Sequence, residues 1–525
     1  MKYLALLAFV QAAVGAAVTR DTDATRSITL NIVNANLAPD GFTRSTVVAN
    51  GQYPGPPILA NKGDTLRITM NNRLTDPTMR RSTALNLDGL VFNDSDLFEE
   101  FEPFVNACPV GPGSSFVYTK SLGTQTGTYW YHSELSTQYV DGFRGPLIVY
   151  DPLDPHRNLY DVDDVNTIIQ MGDWWQQTTL PLLDNYVATG VVPVSDSVTI
   201  NGAGRFNGGP AVPWSVINVV KGRRYRFRII NESARNVITV SIDNHEMTVI
   251  AADGINTQPK TVTSIQTLAG QRYDVVVRAD QPVANYWFNA PFTGGNPAVN
   301  PHRKIPHSLV LSSAMLVLPR ADPTTPMTAG PTDNTLIEAD LRPLVPTPVR
   351  NPDVTLTFDL VVTTGKAQWN INGVSYLSPQ VPTLEKVLDG ATNAGDFNVT
   401  ENTFILPAGK TVEIIFPATD DDDAHPFHLH GMPMQVIKSM TSNNTNTVNP
   451  ISRDVVGVGG GGTTIRFTTQ QDGPFMFHCH IFWHKFAGLA SVQLVDPAGT
   501  RKNVHPNQAW EGLCPAYDAL PAELQ

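Results

Sequence analysis

The sequence predicts an all-β chain of three consecutive Greek-key β-barrel domains, and three observations carry that reading. Short runs in which apolar and polar residues alternate recur along the chain, as in Ile28-Thr-Leu-Asn-Ile-Val33, Thr65-Leu-Arg-Ile-Thr69, Tyr273-Asp-Val-Val-Val277 and Val354-Thr-Leu-Thr-Phe-Asp-Leu360. A period of two marks strands with one buried face. Charged residues make up only 16% of the 525, and the 41 prolines slightly outnumber the 39 glycines, a balance suited to a turn-rich β protein. Finally, a turn glycine and a polar residue introduce an alternating strand once per block, in Gly63-Asp-Thr-Leu-Arg-Ile68, Gly222-Arg-Arg-Tyr-Arg-Phe-Arg228 and Gly409-Lys-Thr-Val-Glu-Ile-Ile415. Three similar units explain that echo most economically.

In chain order, residues 1–16 read as a secretory signal: Lys2, an apolar run from Tyr3 to Val10, and small residues from Ala12 to Ala17 with cleavage near Ala16. The apolar run is too short to span a bilayer, and no later one is long enough, so no membrane partner is expected. Residues 17–152 are the first domain. Residues 153–320 are the second, with strands such as Val216-Ile-Asn-Val-Val220 and Tyr225-Arg-Phe-Arg-Ile-Ile230. A Pro/Thr-rich stretch from Pro319 to Pro352 reads as a linker wrapped on the surface. Residues 321–525 hold that linker and the third domain, including Thr411-Val-Glu-Ile-Ile-Phe416. The net charge of −12 disfavours nucleic acid and anionic lipid as partners. Sequons at Asn93, Asn231, Asn398 and Asn443 fit a secreted, extracellular glycoprotein.

Chemistry-bearing residues concentrate in Ala424-His-Pro-Phe-His-Leu-His-Gly431 and Gly473-Pro-Phe-Met-Phe-His-Cys-His-Ile-Phe-Trp-His484. Together these hold six of the twelve histidines and one of the three cysteines. Side chains alternate along a strand, so His478 and His480 face one way and Cys479 the other. One strand can therefore serve two metal sites back to back. Cys479, His484 and His425 form the Cys-plus-two-His set that suits copper in electron transfer. His428 and His430 make a second i, i+2 pair that can face His478 and His480.

These motifs resemble the multicopper oxidases, and in wording the secreted fungal laccases. The likeness continues in Pro39-Asp-Gly-Phe-Thr-Arg44, Gln52-Tyr-Pro-Gly-Pro56, Gly127-Thr-Tyr-Trp-Tyr-His-Ser133, Gln138-Tyr-Val-Asp-Gly142 and Cys514-Pro-Ala-Tyr-Asp-Ala-Leu520, covering essentially the whole mature chain. The resemblance implies cupredoxin-like domains, a mononuclear blue copper and a three-copper cluster held by four His pairs. It also implies a disulfide from the first domain to the C-terminal segment. With Cys479 assigned to metal, Cys108 and Cys514 remain to form it. A second family bridge, between the positions of Val140 and Ala234, is missing.

The chain departs from the family at the cluster. Glu134 stands where His132-Ser-Glu134 should end in histidine, and Asn86 and Asp88 replace a complete His pair. Carried over residue by residue, one metal of the coupled pair would fall to Asp88, His132 and His480, and the other to Glu134, His430 and His478. The third would have only Asn86 and His428. Two imidazoles with a carboxylate suit zinc, iron or manganese as well as copper. The competing reading is a decayed cluster whose acids are solvated or salt-bridged. Leu489, at the family's axial position beside the blue copper, cannot coordinate, which implies a relatively high reduction potential. Arg235 stands where many laccases carry the acid that accepts a phenol's proton. It is either an exposed turn arginine or a sign that anionic donors are preferred. Glu100 stands in for the family's proton-relaying acid, and Asp420 to Asp423 read as a solvated loop.

Three function classes follow. The first is a laccase-like oxidoreductase that takes electrons singly from phenols or aromatic amines, with weak or absent standard laccase activity toward O2. The second is a metal-dependent hydrolase on the Asp88/Glu134 pair. The third is a non-catalytic copper-binding relative. Expected partners are a small aromatic substrate and O2, with the protein a monomer or associated with another laccase subunit.

Overall fold

The computed structural model describes residues 23–292, 308–312, 322–325, 330–363, 365–419 and 423–525. The expected signal segment lies outside them. Three pairs of facing sheets follow one another along the chain. In the first, a four-stranded sheet runs in the order Arg44–Ala49, Thr25–Leu37, Thr65–Asn72, Ser115–Ser121, and its companion in the order Ile58–Asn61, Arg144–Tyr150, Gly127–His132, Asn86–Asp88. Strands distant in sequence lie side by side, and the parallel pairing of Thr25–Leu37 with Thr65–Asn72 sits among antiparallel neighbours. That is the Greek-key connectivity expected from the sequence. The second unit pairs sheets of seven and five strands, and the third pairs two five-stranded sheets with a small two-stranded one.

Alternation explains the burial. In Thr65–Asn72, Leu66, Ile68 and Met70 are buried while Arg67 is exposed. The strands that carry the metal motifs, His425–Leu429 and Gly473–Cys479, are instead buried at every position. They lie centrally in their sheet, so both faces are covered, one by the core of the third unit and one by the first unit.

Cys108 and Cys514 are joined in a disulfide across 406 residues. Short helices Pro497–Asn503, Gln508–Glu511 and Leu513–Asp518 bring Cys514 to the first unit. Val140 and Ala234, where a second bridge is missing, are fully buried.

The sequon at Asn231 is a correction. Its side chain is buried, donating to the carbonyls of Asn236 and Thr267 and accepting from the Ser233 amide, so it holds a turn and cannot carry a glycan in the folded chain. Asn93, Asn398 and Asn443 are exposed. Among the described residues no helix is long and apolar enough to cross a membrane.

Candidate metal centres

Strand register assembles the sites. His428 pairs with His478 and Phe427 with Cys479 across the antiparallel strands His425–Leu429 and Gly473–Cys479. Asn86 pairs with His132 and Asp88 with Trp130 in the first unit. Chain alternation then turns Cys479 toward the core of the third unit and the His pairs toward the first.

On the Cys479 side, Sγ lies 3.7 Å from His425 Nδ1 and 3.9 Å from His484 Nδ1, with the two nitrogens 3.2 Å apart. Bonds of about 2.0 Å to nitrogen and 2.3 Å to sulfur, opened to roughly 105–125°, leave donor separations of about 3.2–3.8 Å. The residues present therefore fit one soft, trigonally bound ion. All three are buried, and the Trp369 ring packs 4.8 Å from His425 and 4.6 Å from His484. Burial, with His425 and Arg235 nearby, holds His484 well below the ordinary imidazole range and so neutral. The Cys479 amide donates to the Leu489 carbonyl, and the Leu489 amide to that of His484. Leu489 is fully buried.

The opposite face gathers the five remaining motif histidines and the three replaced positions. Asp88 Oδ2 lies 3.3 Å from His132 Nε2 and 3.1 Å from His480 Nε2. Glu134, His430 and His478 form a second group, with His430 Nε2 and His478 Nε2 3.1 Å apart. Gly270, at φ +82°, lies against the His480 ring; a Cβ there would come within 2.6 Å of His480 Cδ2.

Imidazole orientation is fixed from behind. The Nδ1 atoms of His132, His428 and His478 donate to the carbonyls of Ser133, Asp454 and Cys479. A carbonyl only accepts, so each ring turns its Nε2 toward the centre; at His132, which against the effect of burial Glu134 and Asp88 raise, that Nε2 donates to Asp88. His430 Nδ1 instead lies 2.6 Å from Glu100 Oε1. Burial and Glu134 push the Glu100 carboxyl up to about 8, against the pull of Lys485. At neutral pH a proton is thus held between Glu100 and His430.

The third position differs from expectation. The Asn86 amide donates to the Glu100 carbonyl. His428 is grouped with Asp88 and with Asp454, which sequence reasoning missed. Arg272 binds Asp454 through both guanidinium ends at 2.5 and 2.7 Å and lies 3.7 Å from Asp88 Oδ1. Against the cost of burial, His428 and the hydrogen bonds of His132 and His480 hold Asp88 well below the usual carboxylate range.

Lys485 and Glu102 were also missed. Lys485, the residue after His484, places Nζ 2.5 Å from Glu134 Oε2 and 3.0 Å from Glu102 Oε1, all three side chains buried. Against burial, Lys485 first and then His132 and His430 hold Glu134 down to about 2. Burial keeps Glu102 up at about 8 although Lys485 opposes it. The available signal was a lysine inside the apolar run Ile481 to Ala487. These groups line a cavity of about 350 Å³ whose walls include Leu135, Leu183, Met476 and Phe486. The residues on this face do not fit three coppers in the family manner: one of the carboxylates is already bound by an ammonium.

Arg235 is neither exposed nor free in its turn. It pairs with Asp423 at 3.2 Å, both part-buried. Asp423 is therefore a fixed partner and not a member of a solvated loop, whereas Asp420, Asp421 and Asp422 lie outside the described residues.

Multicopper oxidase family models match residues 31–154, 165–310 and 376–499. The chain is 42% identical to Laccase-1 of Agaricus bisporus over 95% of this chain and 96% of that one. It is 43% identical to Laccase-4 of Trametes villosa over 94% of each. The crystal structure of the laccase from Botrytis aclada superposes with a TM-score of 0.79 at 28% identity, over 95% of this chain and 93% of that one. Three cupredoxin-like domains and identity of this extent place the chain in the multicopper oxidase family, among the fungal laccases.

Proposed function

We propose that the protein takes electrons one at a time from small aromatic donors, phenols or aromatic amines, at a copper held by His425, Cys479 and His484, and reduces O2 weakly or not at all. A copper ion in that set would supply a one-electron acceptor bound to a soft thiolate. The chain holds the Cys479 sulfur and two imidazoles within bonding reach and packs Trp369 against both rings. Leu489, fully buried and bonded through its backbone to Cys479 and His484, cannot coordinate and would add no further ligand. Arg235 and Asp423 offset each other's charge beside His484, which weakens the earlier expectation of a preference for anionic donors.

The observation that carries the second half of the reading is the ion pair between Lys485 and Glu134. A four-electron reduction needs the whole cluster, and here three His positions are replaced and one replacement is bound by an internal cation. The same contact disfavours the hydrolytic alternative, which needs Asp88 and Glu134 both free to bind ions. Glu100, which shares a proton with His430, is the proton-handling group we assign. The reading also takes the domains as 17–152, 153–320 and 321–525, and the mature chain as secreted after cleavage near Ala16, working alone or beside another laccase subunit.

Anaerobic mixing of the copper-loaded protein with a phenol tests the first half. Bleaching of a thiolate-to-copper absorption band is expected. A colourless copper-loaded protein, or a band unaffected by donor, would refute it.

A further inference from the structure

The altered cluster is not symmetric, although the sequence makes it look so. Each half offers one carboxylate and two imidazoles, Asp88 with His132 and His480, and Glu134 with His430 and His478. Their counter-charges differ. Glu134 has a dedicated cation, since Lys485 Nζ is 2.5 Å from its Oε2 and both side chains are buried. An ion bound to that carboxylate would meet an ammonium with no water between them.

Asp88 has only longer ion pairs at Oδ1, with Arg272 at 3.7 Å and His428 Nε2 at 3.8 Å. The nearest cation, Arg272, has its guanidinium committed to Asp454 through two hydrogen bonds and stays 3.7 Å from Asp88 Oδ1. Arg453, the next arginine along, is likewise bound by Asp253 through two of its nitrogens. Asp88 Oδ1 is buried without a hydrogen-bond partner, and Oδ2 faces two imidazole nitrogens. A buried carboxylate oxygen without a hydrogen bond, as Oδ1 is here, is costly to leave bare, and a bound cation completes it. His132 already presents Nε2 inward by virtue of its Nδ1 contact with Ser133.

We propose that the altered cluster is built for a single divalent ion on Asp88, His132 and His480, and that Lys485 supplies the positive charge at Glu134 in place of a second metal. The ligand class is a borderline cation such as Zn²⁺, which two imidazoles and one carboxylate hold with an open position. This rests on the reading that the cluster no longer carries three coppers, and it adds which half is closed and by what.

The test removes the blue-copper thiolate so that only the cluster is counted. Full-length Cys479→Ser protein is equilibrated with Zn²⁺, dialysed, and its zinc measured by mass spectrometry. About one zinc per chain is expected, falling to about zero with Asp88→Asn added and rising to about two with Lys485→Met added. Glu134→Gln, which keeps the lysine, should leave the count at one and covers the case in which Lys485→Met does not fold. Two zincs with Lys485 in place, none at all, or loss of the ion on Glu134→Gln and not on Asp88→Asn would overturn the proposal. The colour of the Cys479-containing protein, read separately with copper, reports on the blue site alone.

Discussion

Restoring the family's histidines is the obvious way to rebuild oxygen reduction, and the structure predicts that it fails unless a fourth residue changes. Asn86→His, Asp88→His and Glu134→His would return all three imidazoles. Lys485 would remain, with Glu102 as its only carboxylate. Its Nζ lies 2.5 Å from Glu134 Oε2; a coordination bond of about 2.1 Å from that position puts an ion about 4.5 Å from the ammonium. At an effective dielectric constant of about 20, a unit and a double charge at that separation repel by roughly 7 kcal/mol. If relaxation and entering water remove two thirds of this, the remaining ~2 kcal/mol still weakens copper binding more than tenfold. Lys485→Leu added to the three histidines removes the repulsion. The assay is copper content by mass spectrometry beside oxygen uptake with a phenol. The triple variant should stay short of full copper loading and near background uptake, and the quadruple variant should gain both. Full copper loading and rapid uptake in the triple variant would refute the electrostatic argument.

Further expectations concern other parts of the molecule. Leu489→Met should lower the blue site's reduction potential, because a thioether can coordinate where leucine cannot; a spectroscopic redox titration reads this, and no change would count against the axial placement. Burial, opposed by Arg144, pushes Glu232 up to about 7 from 4.5. The folded chain then holds that proton more tightly than the unfolded one, so the group's contribution is intact below about 4.5 and is lost as pH rises through about 7. Relative to Glu232→Gln, the wild type should therefore lose about 3 kcal/mol between those limits; denaturant melts at the two pH values check it, and an unchanged difference would contradict it. Replacing Cys108 and Cys514 by serine frees a loop of 406 residues and should cost up to about 5 kcal/mol of stability, read by the same melts; unchanged stability would contradict it.

What the sequence made legible was local or periodic. Alternation placed Leu66, Ile68 and Met70 inside, and it set Cys479 opposite His478 and His480 without any knowledge of the fold. Ordered motifs then put Asp88 and Glu134 beside the surviving imidazoles, where the structure has them. What it hid were pairings between residues far apart in the chain. Lys485 belongs to no motif, and its role is set only when Glu134, 351 residues away, is brought against it. Arg235 reads as a turn residue until Asp423, 188 residues on, fixes it. Asp454 and Arg272 are 182 residues apart and carry no motif of their own. The sequon at Asn231 erred for a related reason, since three residues in a row carry no information about burial.

The central claim is an electron-accepting blue site uncoupled from four-electron oxygen reduction. Its most direct measurement is oxygen uptake by the copper-loaded wild type in the presence of a phenol, with copper per chain counted on the same sample. A coloured protein that bleaches with donor, holds fewer coppers than a complete laccase and consumes oxygen near background is the predicted result. Rapid uptake at about four coppers per chain would contradict it.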